Sequence, residues 1–480
     1  MNRRRLSDLL QRDLPQDPWI EGVTADSRKA RPGWLFAALP GATADGRLFV
    51  AAAVAAGAAA VLAEGPVEAP VPVALATDAR RAYALAAAAF WGAQPEVCVA
   101  VTGTNGKTSV AAFCRQIFER LGHASASMGT LGVRAGADQI TPTGLTTPDA
   151  GDVARLMAEL AGRGVTHLAL EASSHGLDQR RLDGVRLAAS GFLNLTQDHL
   201  DYHGTMEAYR AAKLRLFEAL TPRGAWAVLN ADSEAVGPFA AAAVTGGLSV
   251  MTVGAMGERL KLAHRAPTLD GQRIRILADD VAHEVRLPLA GAFQAGNALV
   301  AAGLCIAVGE ETQAVLEALE HLEGAPGRLQ RVGAGPRGGE AYVDFAHTPD
   351  GLSTVLMALR PHTRGRLIVV FGAGGDRDRG KRPLMGQVVA SLADVGIVTD
   401  DNPRSESPAA IRAEILAGAP GLREVGGRRD AIRAAAALLE GGDVLVVAGK
   451  GHEQDQTIGS VTHPFDDVAE TRAALGLADA

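Results

Sequence analysis

The chain has 480 residues, of which 47% are hydrophobic and 21% charged, with a net charge of -7. That length is more than one core usually spans and predicts about three domains, and the acidic balance excludes a general nucleic-acid binder, which would carry a basic face. Three cysteines, Cys98, Cys114 and Cys305, lie far apart without metal-ligand spacing, which predicts small buried hydrophobes in a reducing compartment.

The N-terminal MNRRRLSDLLQRDLPQ begins basic, but charges and a proline interrupt any apolar leader core. No segment approaches about 18 uninterrupted apolar residues, so no membrane span is expected and the protein is expected in the cytoplasm. The alanine-rich runs VAAAVAAGAAAVLAEG and RRAYALAAAAFWG predict helices packed closely on a sheet. Residues 1–92 form a first, small α/β domain that ends near the proline break in GAQPEV.

The apolar run VCVAVT then stops at GTNGKTS. Gly103, Thr104, Asn105, Gly106, Lys107, Thr108 and Ser109 read as a phosphate loop. Glycines let backbone N–H groups approach phosphate oxygens, the lysine neutralises their charge, and the hydroxyl faces Mg²⁺. Val101 stands where the longer G-x-x-x-x-G-K-[ST] loop has its first glycine, so a shorter subclass is expected. Downstream, THLALEASS, ASGFLNLT and AWAVLNADS alternate with helical patterns, which implies βαβ units and a mostly parallel sheet over residues 93–325. The first of these runs ends at Glu171, Ser173 and His175; NLTQDHLDYHGTMEAYRAAKLRLF adds His199, His203 and, on a helix, Lys213. Singly these are ordinary capping or surface residues. A carboxylate and an imidazole at strand ends of one nucleotide domain point instead to Mg²⁺ ligation.

The Gly- and Pro-rich EGAPGRLQRV marks the next boundary, leaving residues 326–480 as a Rossmann-like α/β domain. There four apolar runs are each followed by polar or glycine-rich text: AYVDFAHTPDG, RLIVVFGAGGDRDRG, DVGIVTDDNPRS and DVLVVAGKGHEQ. Ligands of open α/β sheets bind beyond the carboxyl ends of the strands, so a second site is expected at these tails.

TGTNGKTS, EASSHGL, NLTQDHLDYHG, YRAAK, DFAHTPD and GKGHE, in that order, resemble the Mur ligases of bacterial cell-wall synthesis across nearly the whole chain. The resemblance implies UDP-sugar-binding, ATP-binding and amino-acid-binding domains, and an expected monomer. It implies ATP and two Mg²⁺ ions, one with Thr108 and Glu171 and one with His199 and a carbamylated Lys213. A carbamate would turn a +1 group that repels Mg²⁺ into a −1 oxygen ligand. By the same resemblance Asn297 lies on the adenine side, Arg328 and Asp344 complete the nucleotide pocket, and Gln294 stands where relatives more often have Asn. Ser27, Thr43, Ala44, Thr146, Thr147, Ser173, Gln179 and Arg181 carry over as contacts to the sugar nucleotide.

TADSR, ATADGR, TTPD and DDNPR are similar to the branch of the family that adds meso-2,6-diaminopimelate to UDP-MurNAc-L-Ala-D-Glu through an acyl phosphate. Asp401, Asn402, Pro403 and Arg404 would then select the amino acid, with Arg377, Gly449 and Glu453 beside them. An arginine fork matches the distal carboxylate that lysine lacks, and Glu453 suits a distal ammonium. Lysine addition, folylpolyglutamate-type ligation and a P-loop switch ATPase remain the alternatives.

Overall fold

The computed structural model describes residues 3–41, 44–136, 138–141 and 144–477. By internal contacts the chain divides into two compact units, Met1–Glu258 with Val300–Glu311, and Arg259–Leu299 with Thr312–Ala480.

The first unit opens with a four-stranded all-parallel sheet, Gly22–Thr24, Trp34–Ala38, Ala60–Ala63 and Val73–Leu75. Both faces are covered, as all-parallel sheets require. Leu6, Leu9, Tyr83 and Phe90 pack with Leu35 and Leu62 on one face, while Phe36 and Val61 meet Val50 and Ala53 on the other. Asp78 caps the helix Ala79–Trp91 by accepting the Arg81 N–H, and the small residues of that helix allow close approach to the sheet.

The larger sheet of this unit runs Ser125–Gly129, His167–Glu171, Val97–Thr102, Ala189–Phe192, Trp226–Asn230 and Ser249–Gly254, all parallel. The antiparallel strands Gly132–Ala135 and Asp138–Thr141 extend its first edge. The phosphate-loop strand Val97–Thr102 is therefore interior, with the Glu171 strand on one side and Ala189–Phe192 on the other. Its continuous apolar sequence follows from burial on both faces, and Cys98, Val99, Ala100 and Val101 are all buried. Cys114 and Cys305 are likewise buried and unbridged.

The second unit contains an antiparallel meander, Leu260–Thr268, Gly271–Ala278 and Val281–Leu287. Beside it in sequence is a sheet in the order Gln330–Ala334, Glu340–Asp344, Val444–Ala448, Leu367–Phe371, Val395–Val398 and Arg423–Glu424. All but the first pairing are parallel. The four strands with polar tails are thus neighbours, and their tails leave from one edge of the sheet. Helices cover both faces, with Leu352, Leu356, Met385 and Ile415 on one and Ile432, Ala435 and Leu475 on the other. Among the described residues no helix is long and apolar enough to cross a membrane.

Candidate active site

The loop after strand Val97–Thr102 wraps the N-terminus of helix Lys107–Arg120. Gly106 takes φ +91°, a left-handed conformation that favours glycine, and after it the first N–H groups of the helix lack intrahelical partners, an arrangement that suits an anion. Asn194, at the end of the neighbouring strand, clamps the loop: its Oδ1 accepts the Asn105 N–H at 2.9 Å and its Nδ2 donates to Asn105 O at 3.1 Å. Thr104 is buried, accepts the Thr196 N–H at 3.0 Å, and lies 3.1 Å from the Tyr209 hydroxyl. Lys107 Nζ curls back on the loop, donating to Gly103 O and Thr104 O at 2.8 Å each.

Glu171 sits at the end of the adjacent strand and gathers hydroxyls. Thr108 Oγ1 donates to its Oε2 at 3.0 Å, Thr130 N–H to Oε1 at 2.8 Å, and Thr130 Oγ1 to Oε2 at 3.2 Å. Gly129 makes room for this carboxylate, because a Cβ there would lie 2.0 Å from Glu171 Oε1. A hydroxyl and a carboxylate held together at a phosphate loop form a hard oxygen donor set, which fits Mg²⁺.

Lys213 lies on the other side of the loop and is almost wholly buried, at 1% exposure. Its Nζ donates to Gly103 O at 2.7 Å and stands 4.6 Å from the Tyr209 ring centre. Burial, reinforced by the nearby Lys107 charge, pulls its pKa well below that of an ordinary lysine. A solvated helix lysine is therefore excluded; this is a desolvated amine. Burial likewise pushes the Tyr209 phenol up to about 12, which keeps it protonated.

His199 is exposed and adopts φ +52°, a conformation uncommon outside glycine and often retained at functional positions. Its ring lies 6.2 Å from that of Tyr209, which is also the aromatic neighbour of Lys213. His175 packs 4.8 Å from His199 and 5.5 Å from His203. Burial first, then the neighbouring histidines, holds His175 below the usual imidazole value. The buried Nε2 of His203 has no hydrogen-bond partner among the described residues.

The residues carried over for the sugar nucleotide divide into two groups. Thr147, Ser173, Gln179 and Arg181 form one network. Thr147 Oγ1 donates to Glu171 O and accepts Ser173 N–H and Oγ at 3.1 and 2.9 Å. Arg181 donates to Thr147 O at 2.6 Å and to Gln179 Oε1 at 2.8 Å. Thr146 joins through Thr130, 3.0 Å away. Ser27 opens a short 3₁₀ turn capped by Asp26, and Ala44 is exposed; among the described residues neither is hydrogen-bonded to that network. Thr43 lies outside the described residues.

In the second unit, Asp344 ends its strand nearly buried, and both its oxygens accept backbone N–H groups, from Leu329 at 2.7 Å and Ala346 at 2.8 Å. Burial raises its pKa, and those two N–H groups and Arg328 oppose the rise. Arg328, half-buried, stacks over Phe345 at 5.0 Å. Gln294 is buried and bridges Asn297, whose Nδ2 donates to it at 3.0 Å, to Arg328 O at 3.3 Å. Its longer side chain spans from the helix to the Arg328 loop, a link that the sequence did not suggest.

The DDNPR turn follows strand Val395–Val398. Arg404 takes φ +49°, and its backbone is pinned by Arg404 N–H to Thr457 O at 3.1 Å and Gly459 N–H to Arg404 O at 2.7 Å. One guanidinium nitrogen donates to Gly375 O at 2.8 Å, and Arg404 has no ion pair among the described residues. That leaves a half-buried cation with donors to spare. Asn402 is consumed internally: its Oδ1 accepts from Lys450 Nζ and Thr457 N–H, both at 3.0 Å, and its Nδ2 donates to Glu453 Oε2 at 3.0 Å. Glu453 Oε2 also accepts from the buried Lys450 at 3.1 Å, while Oε1 carries no hydrogen bond among the described residues. Asp401 O accepts from Gln456, Pro403 is buried, Gly449 N–H donates to Asp344 O, and Arg377 is exposed. Asn194, Thr130, Tyr209 and Lys450 were missed in the sequence, although NLTQ, YRAAK and GKGHE contain three of them.

Three family models match in succession: the Mur ligase family catalytic domain over residues 19–99, the Mur ligase middle domain over 101–305 and the Mur ligase glutamate ligase domain over 327–451. The UDP-N-acetylmuramoyl-L-alanyl-D-glutamate–2,6-diaminopimelate ligase of Caulobacter vibrioides is 70% identical, with 99% of this chain and 100% of the relative covered. Its namesake in Rhizobium meliloti is 54% identical over 95% and 94% of the two chains. A solved structure of a ligase of the same name superposes with a TM-score of 0.78 at 35% identity, covering 98% of this chain and 99% of that one. A Mycobacterium tuberculosis folylpolyglutamate synthase, at 19% identity and a TM-score of 0.61, shares the fold. Alike in its three successive domains and in its nearly full-length likeness to such ligases, the chain belongs to the Mur ligase family.

Proposed function

We propose that the protein joins meso-2,6-diaminopimelate to the D-Glu side-chain carboxylate of UDP-MurNAc-L-Ala-D-Glu, using ATP, as a step in peptidoglycan precursor synthesis. The reading rests above all on Arg404, a constrained arginine without an ion pair among the described residues, in a chain whose phosphate loop is backed by a desolvated lysine. The names of its relatives support the same substrates.

A free carboxylate is a poor acyl donor because its leaving group would be oxide. In the proposed reaction a carboxylate oxygen attacks the γ-phosphorus of ATP, the bond to the β-phosphate bridging oxygen breaks, and ADP leaves. The diaminopimelate amine then attacks the acyl carbon, loses a proton, and expels inorganic phosphate. Bringing two anions together needs concentrated positive charge. Lys107 supplies part of it by leaving its own loop carbonyls for phosphate oxygens. Thr108 and Glu171 would hold one Mg²⁺, and His199 with carbamylated Lys213 a second; the ions supply electrostatic stabilisation of transferring phosphoryl oxygens. A neutral Lys213 amine can add to CO₂, forming an N–C bond and releasing one proton.

Thr147, Ser173, Gln179 and Arg181 would orient the muramyl peptide, and Asn297, Arg328 and Asp344 the adenosine. Arg404 would take the distal carboxylate of diaminopimelate and Glu453, through its unbonded Oε1, the adjacent ammonium. Purified protein given ATP, Mg²⁺ and the UDP-linked dipeptide is expected to release phosphate with diaminopimelate and far less with lysine. Equal release with lysine would overturn the amino-acid assignment, and release without any amino acid would favour a switch ATPase.

A further inference from the structure

His167 opens the strand that Glu171 closes, so the two side chains stand at opposite ends of it, roughly 13 Å apart along an extended backbone. At the His167 end a second group of ligating atoms converges, all within the first unit. His123, in the turn after helix Lys107–Arg120, places Nε2 2.8 Å from Glu310 Oε1. His167 Nε2 lies 3.9 Å from the same oxygen, and the two imidazoles face each other with ring centres 3.9 Å apart. One donor atom from each of His123, His167 and Glu310 lies within 4.8 Å of the other two. None belongs to the proposed reaction.

Hydrogen bonding on the far side of His167 decides what these atoms can do. Thr166 Oγ1 donates to Ala124 O at 3.3 Å and lies 2.9 Å from His167 Nδ1. In the tautomer that carries its proton on Nδ1, that hydroxyl accepts Nδ1–H and the Nε2 lone pair is directed towards Glu310. A proton on His123 satisfies the His123–Glu310 contact but leaves a buried imidazole lone pair facing a carboxylate oxygen. A cation among the three atoms satisfies all of them. The arrangement is also that of a histidine ligand whose other nitrogen is fixed by an outer hydrogen bond.

We propose that His123, His167 and Glu310 bind a divalent transition ion of the zinc type, with one position left for water. Two imidazoles and a carboxylate suit Zn²⁺ and disfavour Mg²⁺, which prefers oxygen ligands. Tetrahedral bonds of about 2.0–2.1 Å require ligand atoms roughly 3.3 Å apart, so His123 retreats slightly and His167 advances. The site ties the far end of the phosphate-loop helix to the start of the Glu171 strand and to the turn after helix Ala292–Ala307. It braces the nucleotide scaffold without touching the reacting atoms.

The test is a Zn²⁺ titration of chelator-treated full-length protein by calorimetry, with zinc-edge anomalous diffraction to locate the ion. Because His199 and His203 could also take up Zn²⁺, the decisive comparison is between wild type and Glu310→Gln, with His123→Ala as a second, partly exposed change. The expected result is a Zn²⁺ peak among the three residues and one equivalent weakened at least 100-fold in both variants, each still folded by circular dichroism. A stoichiometry and affinity equal in wild type and variants, or a peak only at His199, would overturn the site and leave an ordinary histidine–carboxylate pair.

Discussion

Replacing Lys213 by Met is expected to abolish ligation, by about 10³-fold or more, while making the protein more stable near neutral pH. The two effects have one origin. The Lys213 amine is buried beside Lys107 and is held well below the pKa it has in the unfolded chain. Between its folded and unfolded values the unfolded state binds the extra proton, so the stability of the native protein rises with pH across that window. Below the folded value the native state must bury an ammonium, and the full penalty is present. Methionine removes that penalty, and a denaturant titration of the variant should show a flatter pH dependence as well as a higher midpoint. If Lys213 instead were an ordinary structural cation, the methionine variant would lose stability at every pH. A carbamate role adds a second signature: stripping CO₂ from the wild-type enzyme should lower turnover, and bicarbonate should restore it. A Lys213→Glu variant, which supplies a carboxylate without CO₂, should recover part of the activity and show no bicarbonate response.

Arg404→Ala should lower kcat/KM for diaminopimelate by roughly 10²–10³-fold, since removing one partner of a buried, hydrogen-bonded charge pair costs about 2–5 kcal/mol. The apparent KM for ATP should hardly change, and steady-state kinetics with each substrate varied in turn separates the two. Arg404→Lys should recover little, because an ammonium cannot reproduce the bidentate fork. Lysine, which lacks the distal carboxylate, should be used equally poorly by wild type and variant. A variant that lost ATP and diaminopimelate equally would show that Arg404 only holds its turn together. The guanidinium's bond to Gly375 O is what such a purely structural role would rest on.

The sequence was most readable where backbone and burial dictate residue type. An apolar run followed by GTNGKTS needs an interior parallel strand and a helix N-terminus, and both are present. The four polar tails of the last domain were equally legible, because strands buried on both faces are unbroken apolar runs and polar text must begin where they end. Side-chain partnerships were not. Nothing in the spacing indicates that Asn194 would clamp Asn105 from 89 positions away, or that Asn402 would be spent on Lys450 and Glu453. In the sequence Gln294 is legible only as a residue standing where relatives more often have Asn; the folded chain reveals the reach that joins Asn297 to Arg328. The His123, His167 and Glu310 cluster was invisible for the same reason, since its members are brought together by three different connections of the sheet.

The central claim is that one carboxylate is activated by phosphorylation and captured by the diaminopimelate amine. The most direct measurement uses UDP-MurNAc-L-Ala-D-Glu carrying ¹⁸O in the D-Glu side-chain carboxylate, followed by mass analysis of the released phosphate. Transfer of one ¹⁸O to phosphate, with formation of the diaminopimelate amide in equal amount, is the predicted result. Unlabelled phosphate would mean that water, not the substrate carboxylate, attacked ATP, and would contradict the account.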